Sequence, residues 1–66
     1  MAIYQNIKKL AKEKRVPVYM LENAAGLSSG SICKWDSVSP SVNNLKKVAD
    51  ILGTTVDELI KDQEGA

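Results

Sequence analysis

Apolar residues recur along this chain at helical intervals, and no stretch shows the sustained alternation of a strand. Ile3, Ile7, Leu10 and Ala11 fall at i, i+4, i+7 and i+8, which predicts a first helix over Ile3–Lys14 with one apolar stripe. Lys8, Lys9 and Lys12 lie off that stripe, and the cationic last turn suits the negative end of the helix dipole. Val18, Leu21 and Ala25 predict a second helix over Pro17–Ala25, because proline is tolerated in a first turn whose N–H groups have no partner. Gly26 then stands where a helix end favours a left-handed residue. Ser28 reads as the N-cap of a third helix, Ser29–Asp36, with Ile32 and Trp35 inward and Ser29, Gly30, Cys33 and Lys34 outward. The run Ser37-Val38-Ser39-Pro40-Ser41 breaks it. Leu45, Val48, Ala49 and Leu52 predict a fourth helix over Val42–Leu52, capped by Ser41 and ended by Gly53. A fifth follows Thr55, which with Glu58 forms a capping box, and Val56, Leu59 and Ile60 supply its apolar face. The expected fold is all-α, a compact five-helix single domain over residues 1–66, with 61–66 a frayed tail.

Composition narrows the chemistry. Sixty-six residues at 44% hydrophobic content can bury one small core, so neither global disorder nor a separate catalytic or sensing domain is expected. No apolar run reaches the length of a membrane span, and the start lacks a signal-peptide pattern, so a soluble cytoplasmic protein without membrane association is expected. Cys33 is the one cysteine and there is no histidine. An intrachain disulfide, a thiolate zinc cluster and histidine-assisted nucleophiles are therefore excluded. A small hydrolase is the weakest of the function classes, and no catalytic residue, metal site, cofactor or small-molecule ligand is expected. A formal net charge of +1 gives no general basic excess. The distribution is polar, however: Lys8, Lys9, Lys12, Lys14 and Arg15 crowd the first part, and Asp57, Glu58, Asp62 and Glu64 the end.

The informative unit is the second helix, Gly26, Leu27, Ser28 and the third helix. Gly26 permits a tight turn, and Leu27 plugs the angle between the two helices. The third helix presents small and polar residues outward, a poor core face but one that suits a major groove about 12 Å wide. From Ile7 to Ile60 the chain resembles the lambda-repressor-like, Cro/Xre-type helix-turn-helix family. The matching residues are Ile7 and Leu10, then Leu21, Gly26, Leu27, Ser28, Ile32 and Trp35. Pro40, Leu45, Val48, Ala49, Leu52, Gly53, Val56, Asp57, Glu58 and Leu59 complete the ladder.

The resemblance implies a DNA-binding regulator of transcription, a repressor of phage or mobile-element type, whose third helix reads double-stranded DNA as a weak homodimer. By position it implies base-facing roles for Ser28, Ser29, Gly30, Cys33 and Lys34, and phosphate-facing roles for Ser37, Ser39, Ser41, Asn43 and Asn44. Lys34 has the chemistry to donate to guanine, and serine hydroxyls to phosphate or almost any base edge. Gly53, Thr54 and Ile60 are the dimer candidates. Trp35 can stack on single-stranded nucleic acid, but its spacing from Ile32 favours the core; Cys33 reads as a small residue ahead of a redox sensor. Four positions depart from the family pattern. Val18 replaces a phosphate-binding glutamine, Glu22 stands where many members have alanine, and Arg15 replaces a common glycine. Ala11 and Asp36 occupy positions that often form an Arg–acid bridge, which is absent here. The near-neutral charge and the missing glutamine keep open an alternative on the same fold, a protein-interaction or antitoxin-like adaptor.

Overall fold

The apolar stripe at the start forms α1 (Ile3–Glu13), which buries Ile3, Ile7 and Ala11. The structure, a computed structural model, describes residues 2–61. α2 (Val18–Ala24), α3 (Val42–Leu52) and α4 (Val56–Ile60) follow, and between α2 and α3 lies a single 3₁₀ turn, Ile32–Lys34. The described residues thus hold four α-helices, not five, and the all-α class stands. The expected third helix, Ser29–Asp36, is the element that differs: only Ile32–Lys34 is helical, and the flanking residues are turns. Asp62, Glu64 and most of the expected frayed tail lie outside the described residues.

α1, α2, the 3₁₀ turn, α3 and α4 close around one core. Ile3, Ile7, Leu21, Ile32, Val48, Leu52 and Leu59 are its largest fully buried side chains. Leu10, Val16, Val18, Leu27 and Val56 pack against it, half-buried. Ile60, placed on the sequence pattern beside Leu59, is instead 38% exposed. No helix of the described residues is long and apolar enough to cross a membrane.

Three helix ends share one backbone device. After α2, the Leu27 N–H donates to the Glu22 carbonyl at 2.8 Å and Gly26 N–H to Asn23 at 3.2 Å, with Gly26 at φ +73°. After α3, Thr54 N–H reaches Ala49 at 2.9 Å and Gly53 N–H reaches Asp50 at 3.2 Å, with Gly53 at φ +70°. These are Schellman ends, which use a left-handed residue to satisfy otherwise unpaired carbonyls. α1 ends in the same way, with Val16 N–H on Ala11 at 2.9 Å and Arg15 N–H on Lys12 at 3.1 Å, but the left-handed residue is Arg15, at φ 58°.

A left-handed conformation costs a residue with a Cβ about 1–2 kcal/mol, whereas glycine gives back about 0.5–1 kcal/mol through its freer unfolded chain. Arg15→Gly is therefore expected to stabilise the domain by about 0.5–1 kcal/mol, read as a higher urea midpoint at unchanged slope. An unchanged or lower midpoint would show that contacts of the Arg15 side chain outweigh the backbone strain.

Candidate nucleic-acid interface

The turn between α2 and α3 is shaped from below by a carboxylate. Glu22, on α2, is 5% exposed. One of its oxygens accepts the Gly30 N–H at 3.1 Å and the other accepts the Ile32 N–H at 3.1 Å. The expected N-cap, Ser28, does not hold these donors; its hydroxyl meets that of Ser31 at 2.9 Å. The reason lies in the backbone. Gly30 has φ +85°, which turns the chain so that the Gly30 and Ile32 N–H groups converge on Glu22 while the Ser31 N–H donates to the Ser28 carbonyl, and it interrupts any α-helix that would start at Ser29. A Cβ at Gly30 would meet nothing within 4 Å, so glycine is required by conformation and not by crowding.

Two apolar anchors fix the turn from the inner side. Ile32 is fully buried and Trp35 is 5% exposed, which places the indole in the core. Asp36 closes the segment: its Oδ1 accepts the Tyr4 N–H at 2.8 Å, and Gln5 Nε2 reaches its Oδ2 at 3.5 Å. With alanine at position 11, the chain has no arginine there to pair with Asp36, which serves instead as a remote cap for a helix start that has no side-chain cap of its own.

The outward face carries the residues singled out from the sequence. Ser28, Ser29, Cys33 and Lys34 are exposed, and Gly30 is half-buried. The Cys33 Sγ donates to the Gly30 carbonyl at 2.9 Å, so the thiol is tied back to the turn it sits on. Lys34 has no carboxylate within ion-pair distance among the described residues. Ser37, Ser39, Ser41 and Asn43 are exposed on the following loop and the start of α3, and Asn44 is half-buried. Ser41 is the expected cap: its Oγ accepts the Asn44 N–H at 3.2 Å. Thr55 likewise accepts the Glu58 N–H at 3.3 Å, while the Glu58 carboxylate pairs with Lys61 at 3.0 Å.

Sequence reasoning passed over Asn6. It is 4% exposed, and its Nδ2 donates to the Leu59 carbonyl at 2.8 Å and the Lys61 carbonyl at 2.7 Å. The amide closes the C-terminal end of α4 from the first helix. A polar residue directly before Ile7, on the buried side of the stripe, was the one available signal.

Six large apolar residues are exposed among the described residues, Ile51 on α3 and Ile60 on α4 among them. Tyr19 is 62% and Met20 is 50% exposed on α2, and Val38 and Val42 flank the loop between the 3₁₀ turn and α3. Among the described residues no group of three or more potential ligands could hold a metal ion. Residues 6–65 match the family model described as a Cro/C1-type HTH DNA-binding domain. No curated protein and no solved structure matches the chain.

Proposed function

Because the chain belongs to the Cro/C1-type helix-turn-helix DNA-binding domains, we propose that it is a sequence-specific transcriptional regulator, a repressor of phage or mobile-element type, that reads the major groove with the segment from Ser28 to Lys34. The observation that carries this reading is the build of that segment. It is clamped from within by Glu22, Ile32 and Trp35, and it leaves Ser28, Ser29, Gly30, Cys33 and Lys34 on the outside. A rigid backbone with short polar side chains brings hydrogen-bonding groups close to base edges, and Lys34 adds the cation that suits guanine O6 and N7. Ser37, Ser39, Ser41, Asn43 and Asn44 then face the flanking phosphates, whose role is to fix register.

One such segment has little contact area, so the working unit is a weak homodimer that sets two segments about 34 Å apart on one face of the duplex. Gly53, Thr54 and the exposed Ile60 form the contact. The protein acts in the cytoplasm, without cofactor or catalytic step.

Selection of bound sequences from a random duplex library tests the reading, and an enriched palindrome is the expected result. On the enriched site, Lys34→Ala is expected to weaken binding by about 1–3 kcal/mol and to relax preference at one base position. An equal loss on every sequence would make Lys34 a phosphate contact. The same titration reads stoichiometry, and one chain per palindrome would remove the dimer.

A second reading, a protein-interaction adaptor on the same fold, draws on Tyr19 and Met20, which stand exposed on α2 next to Val18, where a phosphate-binding glutamine is missing. Failure to enrich any duplex would favour it.

A further inference from the structure

We propose that the outer face of α1, built from Gln5, Lys8, Lys9 and Lys12, is a second contact with DNA, a track for the phosphate backbone that extends the footprint beyond the reading segment. The inference rests on the DNA-binding reading above and supplies the phosphate anchoring that Val18 cannot.

Four observations converge on it. Residues 5, 8, 9 and 12 share one helical face through i, i+3 and i+4 spacings, and together they line a shallow groove of about 310 Å³. That lining contains three cations, one amide and no carboxylate. Among the described residues none of the three lysines is within ion-pair distance of an acid. Lys8 is held over the Tyr4 ring, 5.0 Å from its centroid, which steadies one ammonium without neutralising it.

Position adds a fifth. The N-terminal end of α1 is joined to the end of the reading segment, through the Tyr4 N–H on Asp36 at 2.8 Å and Gln5 on the same carboxylate at 3.5 Å. Gln5, the first residue of the basic face, therefore lies beside Asp36, two residues past the reading segment, and Lys8 and Lys12 stand about 6 Å apart along the helix axis. A protein partner fits this surface less well. Binding sites for proteins centre on buried aromatic or aliphatic anchors, and the groove is lined by none. The phosphodiester backbone needs only cations and donors in a row, which is what this face offers.

The test is the salt dependence of binding, measured on the enriched duplex and on a duplex of random sequence. Each lysine that neutralises a phosphate contributes about 0.9 to the slope of log K against log salt concentration. A variant with Lys8→Gln, Lys9→Gln and Lys12→Gln keeps helix-compatible side chains at three exposed positions. It is expected to melt like the parent and to lower the slope by about 2–3 per bound chain, equally on both duplexes. Lys14→Gln is the control. Its ammonium lies beside Gly53 in the turn between α3 and α4, next to the proposed dimer contact, so it is read at the parent's stoichiometry, where removing it is expected to leave the slope unchanged.

If melting of the triple variant falls, the single substitutions carry the test, each lowering the slope by about 1. An unchanged slope overturns the inference while leaving the DNA-binding reading intact. So does an equal loss of slope per charge from Lys14→Gln, which would make the effect one of overall charge. Binding of poly-glutamate as tight as binding of the random duplex would assign this face to an acidic protein. If the parent binds neither duplex, the DNA-binding reading fails first and the inference falls with it.

Discussion

Trp35→Ala is expected to destabilise the domain by about 3–5 kcal/mol, the usual cost of emptying a buried aromatic site. The indole is 5% exposed and belongs to the same core as Ile3, Ile7, Leu21, Ile32, Val48, Leu52 and Leu59. A domain of 66 residues has a total stability of only about 3–10 kcal/mol at ordinary values per residue, so the variant is expected to be largely unfolded at 37 °C or close to it. Far-UV circular dichroism during a thermal melt reads the result. Trp35→Phe retains an aromatic ring and should lose only part of this amount, so it separates loss of volume from loss of the indole. A Trp35→Ala variant that melts like the parent but fails to bind nucleic acid would move the side chain from the core to the reading face.

The parts of this fold that could be read from the chain are those set by neighbours. The α1 and α3 stripes, the glycine ends at Gly26 and Gly53, and the caps at Ser41 and Thr55 all rest on residues within one or two helical turns of each other. Arg15 at a glycine position was visible as a departure, and its left-handed φ is the physical content of that departure. The parts that could not be read are caps supplied across the fold. Asp36 closes the start of α1 from 32 positions away, and Asn6 closes the end of α4 from 53 and 55 positions away. Local capping rules carry no information about such partners.

The shape of the segment from Ser28 to Lys34 was not legible for a related reason. An Ile32–Trp35 spacing of three fits an α-helix and a 3₁₀ turn equally well. What decides between them is the positive φ of Gly30 together with Glu22 beneath it, and neither has a periodic signature. The outward set of Ser28, Ser29, Gly30, Cys33 and Lys34 was nonetheless legible, because the inward anchors leave it no other side.

Glu22→Ala is expected to cost about 2–4 kcal/mol and to loosen the reading segment before the rest of the domain. The carboxylate is 5% exposed and accepts two backbone N–H groups, each at 3.1 Å. Hydrogen bonds to a charged acceptor contribute about 1.5–3 kcal/mol each, and a buried donor left without a partner costs about 1–3 kcal/mol. The Ile32 donor bears the larger share, since Ile32 is fully buried while Gly30 is half-buried and open to water. Glu22→Gln keeps one acceptor oxygen and sets an NH₂ group against the other N–H, so it is expected to fall between the parent and the alanine variant. Amide hydrogen exchange separates the local effect from the global one: protection at Gly30 and Ile32 should drop further than protection in α3. Binding should separate as well. Removing a negative charge from beneath the reading face does not weaken attraction to phosphates, whereas a mobile turn no longer presents Ser29 and Lys34 in one geometry. Affinity for the enriched site is therefore expected to fall toward that for random duplex, with the random-duplex affinity held or raised. Unchanged melting together with unchanged exchange at both amides would show that the two hydrogen bonds contribute nothing to the turn, and that Gly30 alone sets its shape.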